Sequence, residues 1–188
     1  MRGIVFALLA VLFILSACGG KIETNMSEKV QPFRFTTEEQ KQLSNKDLEG
    51  QWWVADTIFT SCKTVCPPMT RNMAALQKKA KKKDLDVQFV SFSVDPSHDT
   101  PKQLKKFGDK FGADYSNWTF LTGYDFKTIK KFSIKSFRNL VDHISGSDQV
   151  MHGTSFFLIN PEGKVIKKYK GTSNKEMDKI INDLTKVQ

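Results

Sequence analysis

The pattern of apolar and polar residues along the chain predicts alternating strands and helices. Residues 52–59 are rich in aromatic and β-branched side chains, which favours a buried strand, and residues 87–94 alternate in the manner of a second strand. Between these strands, Pro67 and Pro68 suit the first turn of a helix. Apolar residues at helical spacing then predict a buried stripe on that helix, formed by Met69, Met73, Leu76 and Ala80.

The second half of the chain continues the same alternation. The elements predicted there are a helix from Thr100, a strand at 118–121, a helix at 125–137, a hairpin of strands at 155–159 and 164–169, and a helix at 174–187. Residues 138–150 are polar and weakly patterned, which predicts a mobile loop. This order predicts an α/β sandwich, in which helices flank a mixed sheet with parallel crossovers and an antiparallel edge.

Residues 1–17 have the pattern of an export signal. An uncharged apolar run at 4–15 is too short to cross a bilayer comfortably as a helix, and it ends in a Leu-Ser-Ala-Cys sequence. This ending resembles the bacterial lipoprotein box, which predicts lipidation of Cys18 and a location at the extracytoplasmic face of the cell membrane. An uncleaved N-terminal anchor is the alternative. Residues 18–30 are polar and predict a flexible tether, so the folded domain is expected at 31–188.

Composition narrows the classes of protein that remain. The chain has 188 residues, of which 39% are hydrophobic and 15 are Phe, and this apolar share excludes a largely disordered chain. Three cysteines are too few for a small domain stapled by several disulfides. The 29 Lys and Arg against 20 Asp and Glu give a net charge of +9, which suits a protein held near anionic lipid. Since an exported protein rarely meets nucleic acid, we expect no nucleic-acid partner.

Two cysteines follow the first long strand, at the edge of the sheet where open α/β folds place their ligands. Pro67 disfavours helical geometry at the preceding residue, which predicts that Cys66 occupies the N-cap of the helix. Free backbone N–H groups at the helix start would then lower the pKa of the Cys66 thiol. Together, Cys62 and Cys66 could bind copper or zinc, or close to a disulfide. A purely structural disulfide is the alternative, although so short a loop would contribute little stability.

A third ligand would distinguish a metal site from a redox dithiol, and the chain has three histidines. His152 stands just before the predicted hairpin strand, from which its imidazole could be directed at both sulfurs. His98 follows Asp95 in a loop and His143 lies in the predicted mobile loop, so both are weaker candidates. For each histidine, a position without any ligand role is the alternative.

Three motifs of the chain resemble the Sco/SenC family of copper-binding proteins. They are Phe-Thr-Ser-Cys-Lys-Thr-Val-Cys-Pro-Pro-Met at 59–69, Phe-Ser-Val-Asp-Pro at 92–96, and His152 followed by Ser-Phe at 155–156. The resemblance covers nearly all of the chain after the export signal. It implies a thioredoxin-like fold and a part in assembling the dinuclear copper centre of cytochrome c oxidase subunit II. We therefore expect a metallochaperone that acts as a monomer, rather than an enzyme.

Carried over to this sequence, the ligands of the family would be Cys62, Cys66 and His152, which would hold copper as Cu(I) or Cu(II). Asp95 matches the Asp-Pro segment of the family and would be a supporting residue or a fourth ligand. Relatives often carry an acidic residue after the first cysteine, whereas this chain has Lys63. The residues leave open whether the protein donates copper, reduces a disulfide of the acceptor, or does both in turn.

The alternative function is a membrane-tethered thiol–disulfide oxidoreductase or a thiol peroxidase. Oxidoreductases of the thioredoxin type usually have two residues between their cysteines, and this chain has three. A peroxidase needs a cysteine activated by nearby Thr and Arg side chains, for which Thr64 and Arg71 are candidates. Peroxide turnover that does not depend on His152 would favour this alternative.

Overall fold

The computed structural model describes residues 21–147 and 149–188. The predicted signal at 1–17 and the predicted lipidation site Cys18 lie outside the described residues. Within the described part of the chain, no helix is both long enough and apolar enough to cross a membrane.

A mixed β-sheet forms the centre of the domain. The strands of the described residues are β1 (Arg34–Thr37), β2 (Gln42–Ser44), β3 (Trp52–Ile58), β4 (Val87–Ser93), β5 (Trp118–Thr122), β6 (Val141–His143), β7 (Val150–His152), β8 (Ser155–Ile159) and β9 (Val165–Lys170). Seven of them form one sheet in the order β2-β1-β5-β4-β3-β8-β9, and β6 pairs with β7 in a separate sheet.

Three parallel strands, β3, β4 and β5, occupy the middle of the large sheet. The remaining pairings in that sheet are antiparallel, including the hairpin of β8 and β9. The sheet and its flanking helices confirm the predicted α/β sandwich with a thioredoxin-like fold. Because β3 and β4 end at the same edge, the loops that follow them lie close together.

The helices begin where the sequence predicted and are α1 (Cys66–Lys82), α2 (Pro101–Phe111), α3 (Phe126–Phe137) and α4 (Asn174–Thr185). Side-chain caps explain two of these starts, since Thr100 accepts the Gln103 amide and Asp125 accepts the Thr128 amide. Helix α1 packs against α2 and α4, and its predicted apolar stripe is buried.

The N-terminal strands lie in a region for which the apolar pattern predicted no element. Strand β1 has four residues and β2 has three, which is too short for alternation to be detected. A 3-10 helix at Asn45–Leu48 follows β2. Phe35 on β1 contacts Phe92 and Phe132, with ring centroids 6.4 and 5.6 Å apart, so this edge of the sheet is part of the aromatic core.

Residues 22–30, for which the sequence predicted a flexible tether, lie beside strand β9. The amide of Asn25 donates to the carbonyl oxygen of Ile166 over 3.1 Å, and the side chain of Ile22 is buried. Backbone hydrogen bonds of this kind require no apolar periodicity, which explains why the composition of the segment did not reveal them.

The prediction of a mobile loop at 138–150 is wrong. Strands β6 and β7 form an antiparallel pair there, in which Val141 lies opposite His152 and His143 lies opposite Val150. Both valines are buried, which fixes the pair against the domain. Each strand has only three residues, so the sequence pattern was too short to show it. This hairpin carries His152.

Candidate metal centre

Cys62 lies in the loop between strand β3 and helix α1, and Cys66 is the first residue of α1, at the carboxyl-terminal edge of the parallel strands. The Met69 amide donates to the carbonyl oxygen of Val65 over 3.2 Å, which makes Val65 the N-cap and Cys66 the first helical residue. The predicted N-cap position of Cys66 is therefore wrong by one residue. Pro67 is still accommodated, because the backbone N–H that proline lacks would have no acceptor within the first turn of the helix.

Three side chains of the ligand type converge at this edge. One ligand atom from each of Cys62, Cys66 and His152 lies within 4.8 Å of the other two. Nε2 of His152 lies 3.4 Å from Sγ of Cys66. Both cysteines are buried, whereas His152 is half-buried and reaches the site from the hairpin. The structure thus brings together the three residues that were predicted as ligands, and two thiols with one imidazole suit copper.

The imidazole of His152 is oriented by its other ring nitrogen. Nδ1 lies 2.9 Å from the carbonyl oxygen of Gly153 and 3.1 Å from Oγ1 of Thr57. Because a carbonyl oxygen can only accept a hydrogen bond, these partners assign the proton of the neutral ring to Nδ1. Nε2 then has a free electron pair, and it is the nitrogen that faces Cys66. This is the tautomer that a metal ligand requires.

Two residues that the sequence analysis did not single out complete the support of His152. Nδ2 of Asn139 donates to Oγ1 of Thr57 over 3.0 Å, and the Gly153 amide donates to Oδ1 of Asn139 over 2.9 Å. A Cβ atom on Gly153 would collide with that amide oxygen, which explains the glycine. Thr57 was visible in the sequence as a polar residue inside an apolar strand. Asn139 lay in the predicted mobile loop and carried no signal.

The two cysteines have opposite acid–base environments. A hydrogen bond from the Cys66 thiol lowers the pKa of Cys62 against the opposing effect of burial, and the Cys66 amide, whose nitrogen lies 3.4 Å from Sγ, lowers it further. The same thiol hydrogen bond and burial raise the pKa of Cys66. The prediction of a lowered pKa at Cys66 is wrong, because the amide at the helix start points to the other sulfur. Lys63 and Arg71 are exposed and are not among the causes.

A buried carboxylate holds the loop that precedes Cys62. Asp99 accepts the amide of Thr60 over 3.1 Å and its hydroxyl over 2.5 Å. The Ser93 hydroxyl donates to the same carboxylate over 2.6 Å. Burial raises the pKa of Asp99. The contacts tie the loop after β3 to the end of β4, and they involve residue types that carry no distinctive sequence signal.

Asp95 and the other two histidines lie outside the group of three ligand-type residues. The buried Asp95 carboxylate accepts the Ser97 hydroxyl over 2.9 Å and lies 3.0 Å from Nδ1 of His98. The ring of His143 stacks on Phe126, with centroids 3.8 Å apart. A role for Asp95 as a supporting residue or fourth ligand therefore stays a prediction.

A second buried carboxylate, Asp56, lies one residue before Thr57 on strand β3. Neither of its oxygens has a hydrogen-bond partner among the described residues. Burial raises the pKa of Asp56 to about 7, and the nearby Ser91 hydroxyl and the electrostatic effect of His152 oppose that rise. The Asp56 charge also contributes to the raised pKa of Cys66, so this carboxyl lies within electrostatic range of the site.

Comparison with known proteins agrees with this geometry. The family model described as SCO1/SenC matches residues 22–188. The crystal structure of a SCO1/SenC family lipoprotein from Bacillus anthracis is 51% identical, with a TM-score of 0.83 over 88% of this chain and 99% of that chain. BsSco, a member of the Sco family of cytochrome c oxidase assembly proteins in which a disulfide switch was identified, is 46% identical. Its TM-score is 0.80 over 88% of this chain and 96% of that chain.

A more distant relative has been solved with its metal. ScoI of Arabidopsis thaliana with copper bound is 26% identical, with a TM-score of 0.70 over 82% of this chain and 97% of that chain. The family match begins at residue 22 and runs through the cysteine loop, the hairpin with His152 and the last helix. The chain belongs to the SCO1/SenC family.

Proposed function

We propose that this protein is a membrane-anchored, copper-binding assembly factor for the dinuclear copper centre of cytochrome c oxidase subunit II. The observation that carries the proposal is the convergence of Cys62, Cys66 and His152. Two relatives support it, since one is a cytochrome c oxidase assembly protein and another was solved with copper bound. The protein would act as a monomeric metallochaperone rather than as an enzyme.

The three donors fit copper in both oxidation states. Cu(I) accepts a small number of soft sulfur ligands, and Cu(II) gains from an imidazole nitrogen. Two thiolates neutralise the charge of Cu(II) and leave one negative charge with Cu(I). The Cys66 amide, which donates to Sγ of Cys62 at the start of α1, stabilises that remaining charge.

The same cysteines support a second role, because both are free in the structure. In this role the Cys62 thiolate attacks one sulfur of a disulfide on the acceptor, and the other sulfur leaves as a thiolate. Cys66 then loses its proton to solvent and attacks Sγ of Cys62, which releases the second acceptor sulfur. The two cysteine sulfurs thereby give up the two electrons that reduce the acceptor disulfide, and they are left joined as the Cys62–Cys66 disulfide.

Lipidation of Cys18 would hold the domain at the extracytoplasmic face of the bacterial membrane. The lipoprotein relative from Bacillus anthracis supports this part of the proposal. Metabolic labelling with an alkyne fatty acid should mark the wild-type protein, and Cys18→Ala should lose the label and leave the membrane fraction. Labelling that persists in Cys18→Ala would overturn the lipid anchor.

Copper titration tests the metal site. Reduced protein titrated with Cu(II) should bind one copper per chain with a thiolate-to-copper absorption band. Cys66→Ser should lose the band and His152→Ala should bind more weakly. Cys18→Ser is the matched control, because it also replaces one cysteine and Cys18 is not one of the proposed ligands. Wild-type protein that binds no copper would overturn the proposal, and unchanged affinity in His152→Ala would remove the imidazole from the ligand set.

Mixing experiments separate the two roles. Copper-loaded protein should transfer its metal to a soluble subunit II domain whose cysteines are reduced, and metal-free protein should reduce the same domain when its cysteines form a disulfide. Transfer without reduction would assign copper donation alone, and reduction without transfer would assign the dithiol role alone. The peroxidase alternative has less support. Oγ1 of Thr64 lies 3.9 Å from Sγ of Cys62, as a peroxidase would need, but the Arg71 side chain, the other candidate activating group, is exposed.

A further inference from the structure

A groove of about 460 Å³ opens beside one of the two sulfurs. Cys62 and Pro67 form one side of it, and residues of helix α2 form the other. The apolar part of the α2 side consists of Phe107 and Phe111, whose rings pack with centroids 4.9 Å apart. Cys66 does not line the groove, so Cys62 is the one cysteine of the pair that a molecule in the groove would contact.

The rim of the groove is positively charged. Lys106 and Lys110 lie one helical turn apart on α2, and both side chains are exposed. No carboxylate lines the groove, and neither ammonium forms an ion pair within the part of the chain that the structure describes. Lys63, next to Cys62 in the chain, is a third exposed cation. The groove therefore combines an apolar floor with a cationic rim.

We infer that this groove binds an acidic segment of the acceptor protein, with an apolar side chain on Phe107 and Phe111 and carboxylates on Lys106 and Lys110. A cysteine in that segment would then lie against Sγ of Cys62. The inference rests on the proposed function, because the groove matters only if the Cys62 sulfur meets a partner. The shape determines which sulfur the partner reaches first, and the charges favour one sign of partner over the other.

Short peptides that carry one cysteine as a 2-pyridyl disulfide test the inference directly. The Cys62 thiolate attacks the peptide sulfur, the pyridine-2-thiolate leaves and takes up a proton, and the pyridine-2-thione that forms is followed by its absorbance. Acetyl-Glu-Leu-Cys-Glu-amide and acetyl-Lys-Leu-Cys-Lys-amide differ only in charge. Reduced, metal-free wild-type protein should react with the acidic peptide on the order of tenfold faster, and 1 M salt should reduce that difference.

Charge reversal on the rim should remove the preference. In Lys106→Glu/Lys110→Glu, the two peptides should react at similar rates, and a neutral Ser-Leu-Cys-Ser peptide should react as it does with the wild type. Lys102→Glu is the matched control, since this exposed lysine is also on α2 and does not line the groove. An acidic peptide in which Ser replaces Leu should react several-fold more slowly with the wild type, because it lacks the apolar contact.

Several outcomes would overturn the inference. Equal rates of the two charged peptides with the wild type would do so, as would a preference that survives in the rim variant or disappears in Lys102→Glu. Copper titration of the same proteins is a separate readout, and the rim variant should bind copper like the wild type. Wild-type protein that prefers the acidic peptide but binds no copper would refute copper binding and leave the groove assignment in place.

Discussion

Replacing Thr57 with Val tests whether the hydrogen bonds that orient the His152 ring contribute to the affinity of the protein for copper. Thr57 is fully buried, and its Oγ1 lies 3.1 Å from Nδ1 of His152 and 3.0 Å from Nδ2 of Asn139. The side chains of Thr and Val have nearly the same shape, so the change removes these contacts without opening a large cavity. An Asn139 N–H left unpaired in the core would lower the free energy of unfolding by about 1–3 kcal/mol.

Two measurements separate the effect on folding from the effect on the metal. At roughly 3 °C per kcal/mol for a domain of this size, the Tm of the metal-free protein should fall by about 3–9 °C, as followed by circular dichroism. Copper affinity, measured by competition with a chelator, should fall about 10–100-fold, because His152 loses a contact that orients its ring. Thr57→Ser keeps the hydroxyl and should recover most of the affinity.

Thr122→Val is the matched control, because Thr122 is a buried strand threonine on β5, two strands away from β3. It should leave copper affinity unchanged. If Thr57→Val has a lower Tm but binds copper as tightly as the wild type, the hydrogen bonds stabilise the fold alone and the reasoning about His152 is refuted.

Three further predictions concern neighbouring residues. Burial raises the pKa of Asp56 from 3.8 to about 7, so its contribution to stability is complete below pH 4 and is lost as the pH rises through 7. Relative to Asp56→Asn, the wild type should lose up to roughly 4 kcal/mol over that range, measured by urea unfolding. Gly153→Ala should displace Asn139 and weaken copper binding by about tenfold or more, measured by chelator competition. Asp99→Ala should lower the free energy of unfolding by about 2–4 kcal/mol, also by urea, because the buried Ser93 hydroxyl and the half-buried donors of Thr60 lose their acceptor.

Each of these predictions has a control and an outcome that contradicts it. Identical pH profiles for the wild type and Asp56→Asn would refute the raised pKa of Asp56 in the folded protein. Gly163→Ala, strained at a φ of +73° in the β8–β9 turn, should lower stability by about 1 kcal/mol without changing copper affinity. The exposed Glu162→Ala should change stability by less than about 0.5 kcal/mol, and an equally small change in Asp99→Ala would refute its bracing role.

The parts of the fold that could be predicted have long, local signals. Strand β3 is a run of aromatic, β-branched and other buried residues, helix α1 has apolar residues at helical spacing, and the two cysteines stand where one element leads into the other. Pro67 and Pro68 favour the start of a helix through a local backbone effect that does not depend on distant residues. This part of the site therefore followed from neighbours in the chain, although the cap position was wrong by one residue and the lowered pKa was assigned to the wrong cysteine.

The parts that could not be predicted depend on contacts between distant segments. Val141 and Val150 make a two-stranded sheet from three-residue strands, which leave no periodic trace. Asn139 lies 82 residues from Thr57, so their hydrogen bond has no local signal. The lowered pKa at Cys62 depends on how the thiol and the amide of Cys66 approach its sulfur in three dimensions. Such features follow from tertiary packing rather than from local propensity.

The separate pairing of strand β7 has a consequence for how an ion could leave the protein. Cys62 follows a strand of the central sheet and Cys66 begins the first helix. His152 instead belongs to a hairpin in which each strand contributes three paired residues. A competing protein that pushed this hairpin aside would break few backbone contacts and leave the sheet whole. Cu(I) would then stay on two sulfurs, an arrangement it tolerates, while Cu(II) would lose the nitrogen it favours. If the protein delivers copper as proposed, displacement of the hairpin would thus weaken the binding of Cu(II) more than that of Cu(I).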